Sequence, residues 1–305
     1  METRWGDIEV RDAHAHLFSY PFFQTLATER GRSETVEALT GELGWEAPPA
    51  DNRALAARWE AELDRHGVRR SVLMSSVPGD EASAAALVRA RPDRFYGYFM
   101  FNPLDDDAPG RVRKAFDDGL QGLCLFPAMH RFSVQDERLA PIWALAAARR
   151  NVVVFVHMGV LTVGVRKKLG LPSKFDMSRS NPIDLHRVAL EYPGVTFVIP
   201  HLGAGFFRET LMLGDLVPNV CLDTSSGNGW IRYLLPAVTL ADVFRKALEV
   251  YGPERLLFGS DSSFFPRGWN REIFDAQAAA LGELNVGETT ARAVFGGNLE
   301  RLLGR

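Results

Sequence analysis

Cysteine is nearly missing from this chain: only Cys124 and Cys221 occur, each inside an apolar run, LQGLCLF and NVCLDT. Thiols in such settings read as buried and free, which excludes the disulfide framework of a small secreted scaffold. A reducing compartment follows, and the expected location is cytoplasmic. Long hydrophobic runs are missing too. No window approaches the roughly 18 apolar residues of a membrane span, and the opening METRWGDIEVRDAH lacks the apolar stretch of a secretory signal. Nor does one sign of charge dominate, since 35 Lys and Arg stand against 38 Asp and Glu for a formal net charge of -3. No electrostatic footprint for nucleic acid or membrane is left, so the expected partner is a small-molecule substrate, with a homodimer as a candidate assembly.

What is present suits a large packed fold. Of 305 residues, 46% are hydrophobic and 24% charged, the balance of a globular chain that buries a sizeable core. Eight apolar, β-rich runs recur, at 8–14, 70–75, 95–101, 120–126, 152–157, 195–200, 219–224 and 255–261. They are continuous rather than alternating, as strands buried on both faces of a parallel sheet are. Amphipathic segments separate most of them, among them NPIDLHRVALEYP with Asn181 as N-cap and Pro182 at the first helical position. The expected fold class is α/β, a distorted (β/α)8 TIM barrel spanning 1–305 as a single domain. About fifty residues between the first two runs, including GELGWEAPPADN, are too many for one crossover and predict an excursion over the barrel mouth.

The histidines and one aspartate fall at the ends of these runs. Asp12, His14 and His16 close the first as DAHAH, His157 ends the fifth, His201 follows the sixth, and Asp261 ends the eighth. In a barrel those carboxyl ends converge on one face, where barrel enzymes carry their active sites. Two apart on a strand, His14 and His16 share a face and both reach one point. Three imidazoles and a carboxylate in one cleft otherwise need many compensating hydrogen bonds, whereas zinc, manganese or cobalt takes this donor set. A divalent metal on His14, His16, His157 and Asp261 is therefore expected, zinc first. Of the remaining histidines, His66 reads as a helix-end residue and His186, on a face with Ile183 and Leu190, as packing against the barrel.

Through DAHAH, VFVHMG, PHLGAG, CLDTS, FGSDSSFFP and GGNLERLL, the chain resembles the amidohydrolase superfamily over nearly its whole length. It is most similar to the amidohydrolase-related branch that includes aminocarboxymuconate semialdehyde decarboxylase-like enzymes. The resemblance implies a metal-dependent enzyme with His14, His16, His157 and Asp261 as ligands and His201 as a catalytic residue outside the primary ligand set. Binuclear members carry a carboxylated lysine at a fourth-strand position that aligns with Cys124. The absence of that lysine implies one metal ion.

A divalent ion lowers the pKa of bound water from 15.7 toward about 7 to 9 and polarises a substrate oxygen. The expected reaction is hydrolysis of a small ester, lactone or amide, with Asp261 doubling as proton acceptor and His201 polarising substrate or shuttling a proton. Aromatic residues crowd three loops: Phe18, Tyr20, Phe22 and Phe23 after the first run, Trp230 after the seventh, and Phe264, Phe265 and Trp269 after the eighth. At least one from each group is expected to line the cavity, which favours a cyclic or aromatic substrate. Expected substrate contacts are His130, Arg131, Trp230 and Phe264. Non-oxidative decarboxylation of an unsaturated or aromatic acid is the alternative, with Arg131, Arg166, Arg232 or Arg267 as anion anchor. A non-catalytic binding barrel with a structural metal is a third reading, in which His201 would serve no purpose.

Overall fold

The computed structural model describes residues 1–31 and 34–304. Each of the eight apolar runs contains a strand: β1 Val10–Asp12, β2 Val68–Ser75, β3 Phe95–Met100, β4 Gly122–Leu125, β5 Val153–Val156, β6 Thr196–Ile199, β7 Val220–Asp223 and β8 Leu256–Leu257. Neighbours pair in parallel and in sequence order from β1 to β8, with Leu73 opposite Gly97 and Cys124 opposite Phe155. No continuous ladder joins β8 to β1. Three main-chain bonds close that seam instead: Ala13 N to Phe258 O (2.8 Å), Asp261 N to His14 O (2.9 Å) and His16 N to Ser262 O (2.7 Å). The result is a nearly closed eight-stranded barrel, as expected.

Alternation along each strand divides the core into two layers. Val72, Met74, Tyr98, Cys124, Phe155, Val198 and Cys221 fill the barrel interior. Their neighbours Leu73, Phe99, Leu123, Val154, Phe197 and Leu222 face the surrounding helices. Both strand faces are therefore apolar, which is why the runs read as continuous. Both cysteines are free and buried in the interior layer, where burial pushes each thiol above its ordinary value.

The long β1–β2 connection holds α1 Tyr20–Glu29, α2 Val36–Leu43 and α3 Asn52–His66, capped by Ser19, Thr35 and Asp51 through side-chain bonds to the first-turn N–H groups. The third helix is the crossover. The first two bury Phe22, Phe23, Leu26, Val36 and Leu39 against Val165, Leu169 and Leu171 of the β5 loop, an apolar cluster separate from the barrel core. Glu46 N bonds to Phe265 O (3.0 Å) and ties this excursion to the β8 loop, so it covers the mouth as expected.

His66 ends α3 and contacts Glu62 (3.2 Å). Asn181 caps a helical turn beginning at Pro182, but the expected packing face of the following helix needs correction. Leu185, Val188 and Ala189 form the buried stripe there, while Leu190 is 57% exposed, so His186 flanks the stripe rather than leading it. No helix among the described residues is long and apolar enough to cross a membrane.

Candidate metal centre

The first strand ends in DAHAH because Asp12 anchors it from below. The Asp12 carboxylate accepts bonds from His14 N (2.9 Å), Ser260 N (3.0 Å), the Ser260 hydroxyl and Trp269 Nε1 (2.8 Å). This pins the β1 end to the β8 end across the open seam. His14 and His16 then project to one side, and each ring is held by its Nδ1. His14 Nδ1 donates to Asp223 Oδ2 (2.5 Å), with Ser225 Oγ at 3.0 Å, and His16 Nδ1 bonds to Ser76 Oγ (2.8 Å). Both Nε2 atoms are thereby aimed inward and lie 3.3 Å apart. Asp261 Oδ1 stands 3.3 Å from His16 Nε2 and 3.7 Å from His14 Nε2. These three residues form a cluster whose ligand atoms all lie within 4.8 Å of one another.

That spacing fits a metal ion: donors about 2.1 Å from one ion and roughly 105° apart would stand about 3.3 Å from each other. The electrostatics agree. Burial opposes charge on His14, but the Asp223 carboxylate outweighs it and raises the imidazole to about 9, so the cluster favours a positive charge. Burial likewise opposes ionisation of Asp261, yet His16 and the neighbouring histidines hold it well below the usual carboxylate range. His157 is depressed far below its ordinary value by burial and by the nearby His201 and His14, and is neutral. Its buried Nδ1 has no hydrogen-bond partner, a costly state that a cation would relieve. His157 lines the same cavity but lies outside the tight three-residue cluster.

His201 sits just past β6 in a left-handed conformation (φ 55°), and its ring centroid lies 5.0 Å from that of His14 and 5.2 Å from that of His157. Gly159 makes this proximity feasible, since a Cβ there would stand 2.1 Å from Gly203 O and force the β5 and β6 loops apart. His201 Nδ1 is 2.9 Å from Ser225 Oγ and 3.3 Å from Ser225 O. A carbonyl only accepts, so Nδ1 carries the proton and Nε2 the lone pair. Burial keeps the ring's pKa below its ordinary value.

The centre opens into a cavity of about 460 Å³ walled by Phe18, Phe22, Trp45, Phe126, Phe264 and Arg267 among others. Of the expected substrate contacts, only Phe264 is here. Trp230 lines a smaller hollow of about 250 Å³ that shares His157, His201 and Asp261. His130 and Arg131 line a neighbouring chamber, because Arg131 caps a short helix in the left-handed conformation (φ 58°) and turns the chain away from the metal cavity. Two of the three aromatic groups thus reach the main cavity and the third reaches its side hollow. Among the anchor candidates, Arg166 pairs with Glu29 (2.6 Å), Arg131 donates to Lys174 O, and Arg232 lines the side hollow, leaving Arg267 in the main cavity. Sequence reasoning missed Trp45, stacked 3.9 Å from Phe264, and the ring holders Ser76, Asp223 and Ser225.

A barrel with histidines and an aspartate gathered at its carboxyl-end mouth defines the class of metal-site TIM-barrel enzymes. A family model described as amidohydrolase matches residues 11–305, and the chain belongs to that family. An amidohydrolase from Burkholderia multivorans solved with bound zinc aligns with a TM-score of 0.65 at 18% identity, covering 96% of this chain and 98% of that one. A probable 2-pyrone-4,6-dicarboxylic acid hydrolase from Acinetobacter baumannii, with citric acid bound, aligns at 0.60 and 16% identity over 98% and 100%. At these identities the likeness is one of fold. Protein fluG of Emericella nidulans is 32% identical over 104 residues, 33% of this chain, and the match spans 12% of that relative.

Proposed function

We propose that the chain is a metal-dependent hydrolase acting on a small cyclic or aromatic ester, lactone or amide. The observation that carries this reading is the convergence of His14 Nε2, His16 Nε2 and Asp261 Oδ1, with both Nδ1 atoms tied down, at the base of an aromatic-walled cavity. His157 would complete the donor set, and one ion, zinc first with manganese or cobalt as alternatives, matches its nitrogen and oxygen chemistry. When bound, the ion supplies Lewis acidity and a water acidified toward neutral pH. The zinc in the Burkholderia relative and the cyclic lactone named for the Acinetobacter one support the choice of metal and substrate.

The chain's own residues would do the rest. His201, with Nδ1–H committed to Ser225, takes the proton of the attacking water at Nε2 and returns it to the leaving oxygen or nitrogen. Asp261 keeps Oδ2 available to orient that water, since Oδ1 faces the histidine pair. The aromatic wall excludes bulk solvent around the reacting bond. Decarboxylation is the second reading, favoured by the cation Arg267 in the same cavity.

Elemental analysis of purified protein should find close to one divalent transition metal per chain. Two tightly bound ions, or none after supplementation, would overturn the centre. A panel of lactones, esters, amides and aromatic acids with carbon dioxide detection separates the two reactions, and no turnover of any member by metal-loaded protein would sink both.

A further inference from the structure

A second chamber, of about 530 Å³, lies beside the metal cavity, and Phe22, Ser76, Met100, Met129, Val163 and Val165 line both. A residue that faces both spaces is the whole thickness of the partition, so only one layer of side chains separates them. Ser76 joins that partition to the metal cluster: its hydroxyl accepts from His16 Nδ1 (2.8 Å) and donates to Met74 O (3.0 Å). Met100 and Met129 are unbranched and reshape to fit what lies against them. Behind the partition Leu26 and Val77 are buried and keep the inner end apolar. The outer end is where Glu29, Arg131 and Lys174 are exposed. Its two guanidinium groups are engaged in holding α1 and the loops after β4 and β5 together. Arg166 pairs with Glu29 (2.6 Å) and donates to Pro172 O (2.9 Å), while Arg131 donates twice to Lys174 O (3.2 and 2.7 Å).

His130 is the polar group that this chamber leaves unsatisfied. Its buried Nδ1 has no hydrogen-bond partner, and burial keeps the ring neutral. An orphaned buried nitrogen is costly, and a neutral imidazole offers one donor and one acceptor, which suits an uncharged hydroxyl or carbonyl. A void of about 150 Å³ already holds a benzene ring, so a lone ring needs only part of the metal cavity and none of the chamber behind it. We propose that the chamber is a subsite for an uncharged arm of the substrate: the ring lies in the metal cavity, a short apolar chain crosses the partition at Met100 and Met129, and a terminal hydroxyl or carbonyl bonds to His130. This rests on the reading that the metal cavity holds the substrate. It narrows that substrate to a ring carrying an aliphatic substituent.

The test titrates zinc-loaded protein by calorimetry with benzyl alcohol and para-butylbenzyl alcohol, which hold no ester, lactone or amide to be turned over. Each buried methylene is worth about fourfold in affinity, so the butyl chain should tighten binding about tenfold or more. Thr25 lines the chamber but not the metal cavity. Thr25→Trp, which fills the chamber, should cut the butyl gain to about twofold and leave benzyl alcohol within about twofold of wild type. A second comparison sets para-(hydroxybutyl)benzyl alcohol against para-pentylbenzyl alcohol, which is nearly the same shape. His130→Phe should shift their affinity ratio about fivefold against the hydroxyl probe, the scale of one hydrogen bond. Metal content and melting temperature are measured alongside, and the His130 comparison carries the test if tryptophan at position 25 does not fold. No butyl gain in wild type, a gain that survives Thr25→Trp, or a ratio unmoved by His130→Phe overturns the proposal. If neither benzyl alcohol nor its butyl derivative binds, the substrate cavity itself fails and the arm with it; if only the butyl gain is missing, the arm alone fails.

Discussion

One lever on the candidate metal centre is a residue that stands behind the His14, His16 and Asp261 cluster. Asp223, at the end of β7, accepts the His14 Nδ1 proton at 2.5 Å, and both side chains are fully enclosed. Burial pushes its carboxyl up, but His14, His201 and Ser225 hold it below the ordinary carboxylate range, so it is ionised. Its charge fixes the tautomer that leaves His14 Nε2 free to ligate, and it raises the basicity of that nitrogen. Asp223→Asn keeps the volume and one acceptor oxygen, and Ser225 N (2.7 Å) retains a partner. What is lost is the charge, and where the amide nitrogen turns toward His14 the ring must protonate at Nε2. Such supporting contacts are worth about 10- to 100-fold in metal affinity, or about 1.4 to 2.7 kcal/mol. Competition against a chelating indicator would measure it. The fold should persist, because Asn remains isosteric in a packed strand end. Zinc affinity within about threefold of wild type would refute the reasoning, since a supporting shell that can be discharged without consequence is not holding a ligand.

Three further outcomes follow from the same geometry. His201→Asn should keep its metal and melt cooperatively while turnover falls about a hundredfold or more, the scale of a lost acid or base; loss of metal instead would make His201 a ligand. His130, which burial depresses to about 4, is neutral in the folded state, so folding is favoured above pH 6.5 and loses up to about 3 kcal/mol as pH falls from there toward 4. Denaturant midpoints for wild type and His130→Leu should converge in slope only if this histidine is not the cause. Because His14 and His16 lie on one side of the β8–β1 seam and Asp261 on the other, zinc should slow hydrogen exchange at the Ala13, His16 and Asp261 amides and raise the free energy of unfolding by about 4 kcal/mol at a thousandfold excess over Kd, with the melting temperature rising accordingly. Exchange unchanged by metal would mean that the ion does not span the seam.

Strand count and order were legible because a barrel strand buried on both faces writes an uninterrupted apolar run, and its catalytic residues must fall at the carboxyl end. That His14, His16 and Asp261 would come together was legible that way, each at the end of a run. The excursion was legible only by length. Trp45 was not, since nothing local says which of its aromatic side chains turns inward; that is decided by stacking on Phe264 from the other end of the chain. Asp223 and Ser225 stood in plain sight in CLDTS, and a carboxylate closing an apolar strand is itself a signal that a buried partner exists. That His130 and Arg131 line the neighbouring chamber was not legible, because proximity to a strand end does not encode the left-handed turn at Arg131 that redirects them.

The seam explains why the chemistry gathers where it does. Seven of the eight strand junctions are parallel ladders, the β1–β2 one with a register shift between Val10 and Arg11, and the eighth is made of isolated bonds around His14 and Asp261. A regular ladder would alternate side chains in and out and would not let Asp261 adopt φ 56°, a conformation costing of order 1 kcal/mol for a residue with a side chain. Interrupting the ladder frees that backbone to aim its carboxylate at both histidines. The strain is held in place from both sides: Asp261 N bonds to His14 O, and Arg267 Nη2 reaches Asp261 O. Gly259, two residues earlier, must lack a Cβ, which would stand 2.7 Å from Asp223 Oδ1 and 2.8 Å from His14 Cβ. The β8 end can therefore approach β1 and β7 closely enough for Asp223, His14 and Asp261 to form one connected charge arrangement across the mouth.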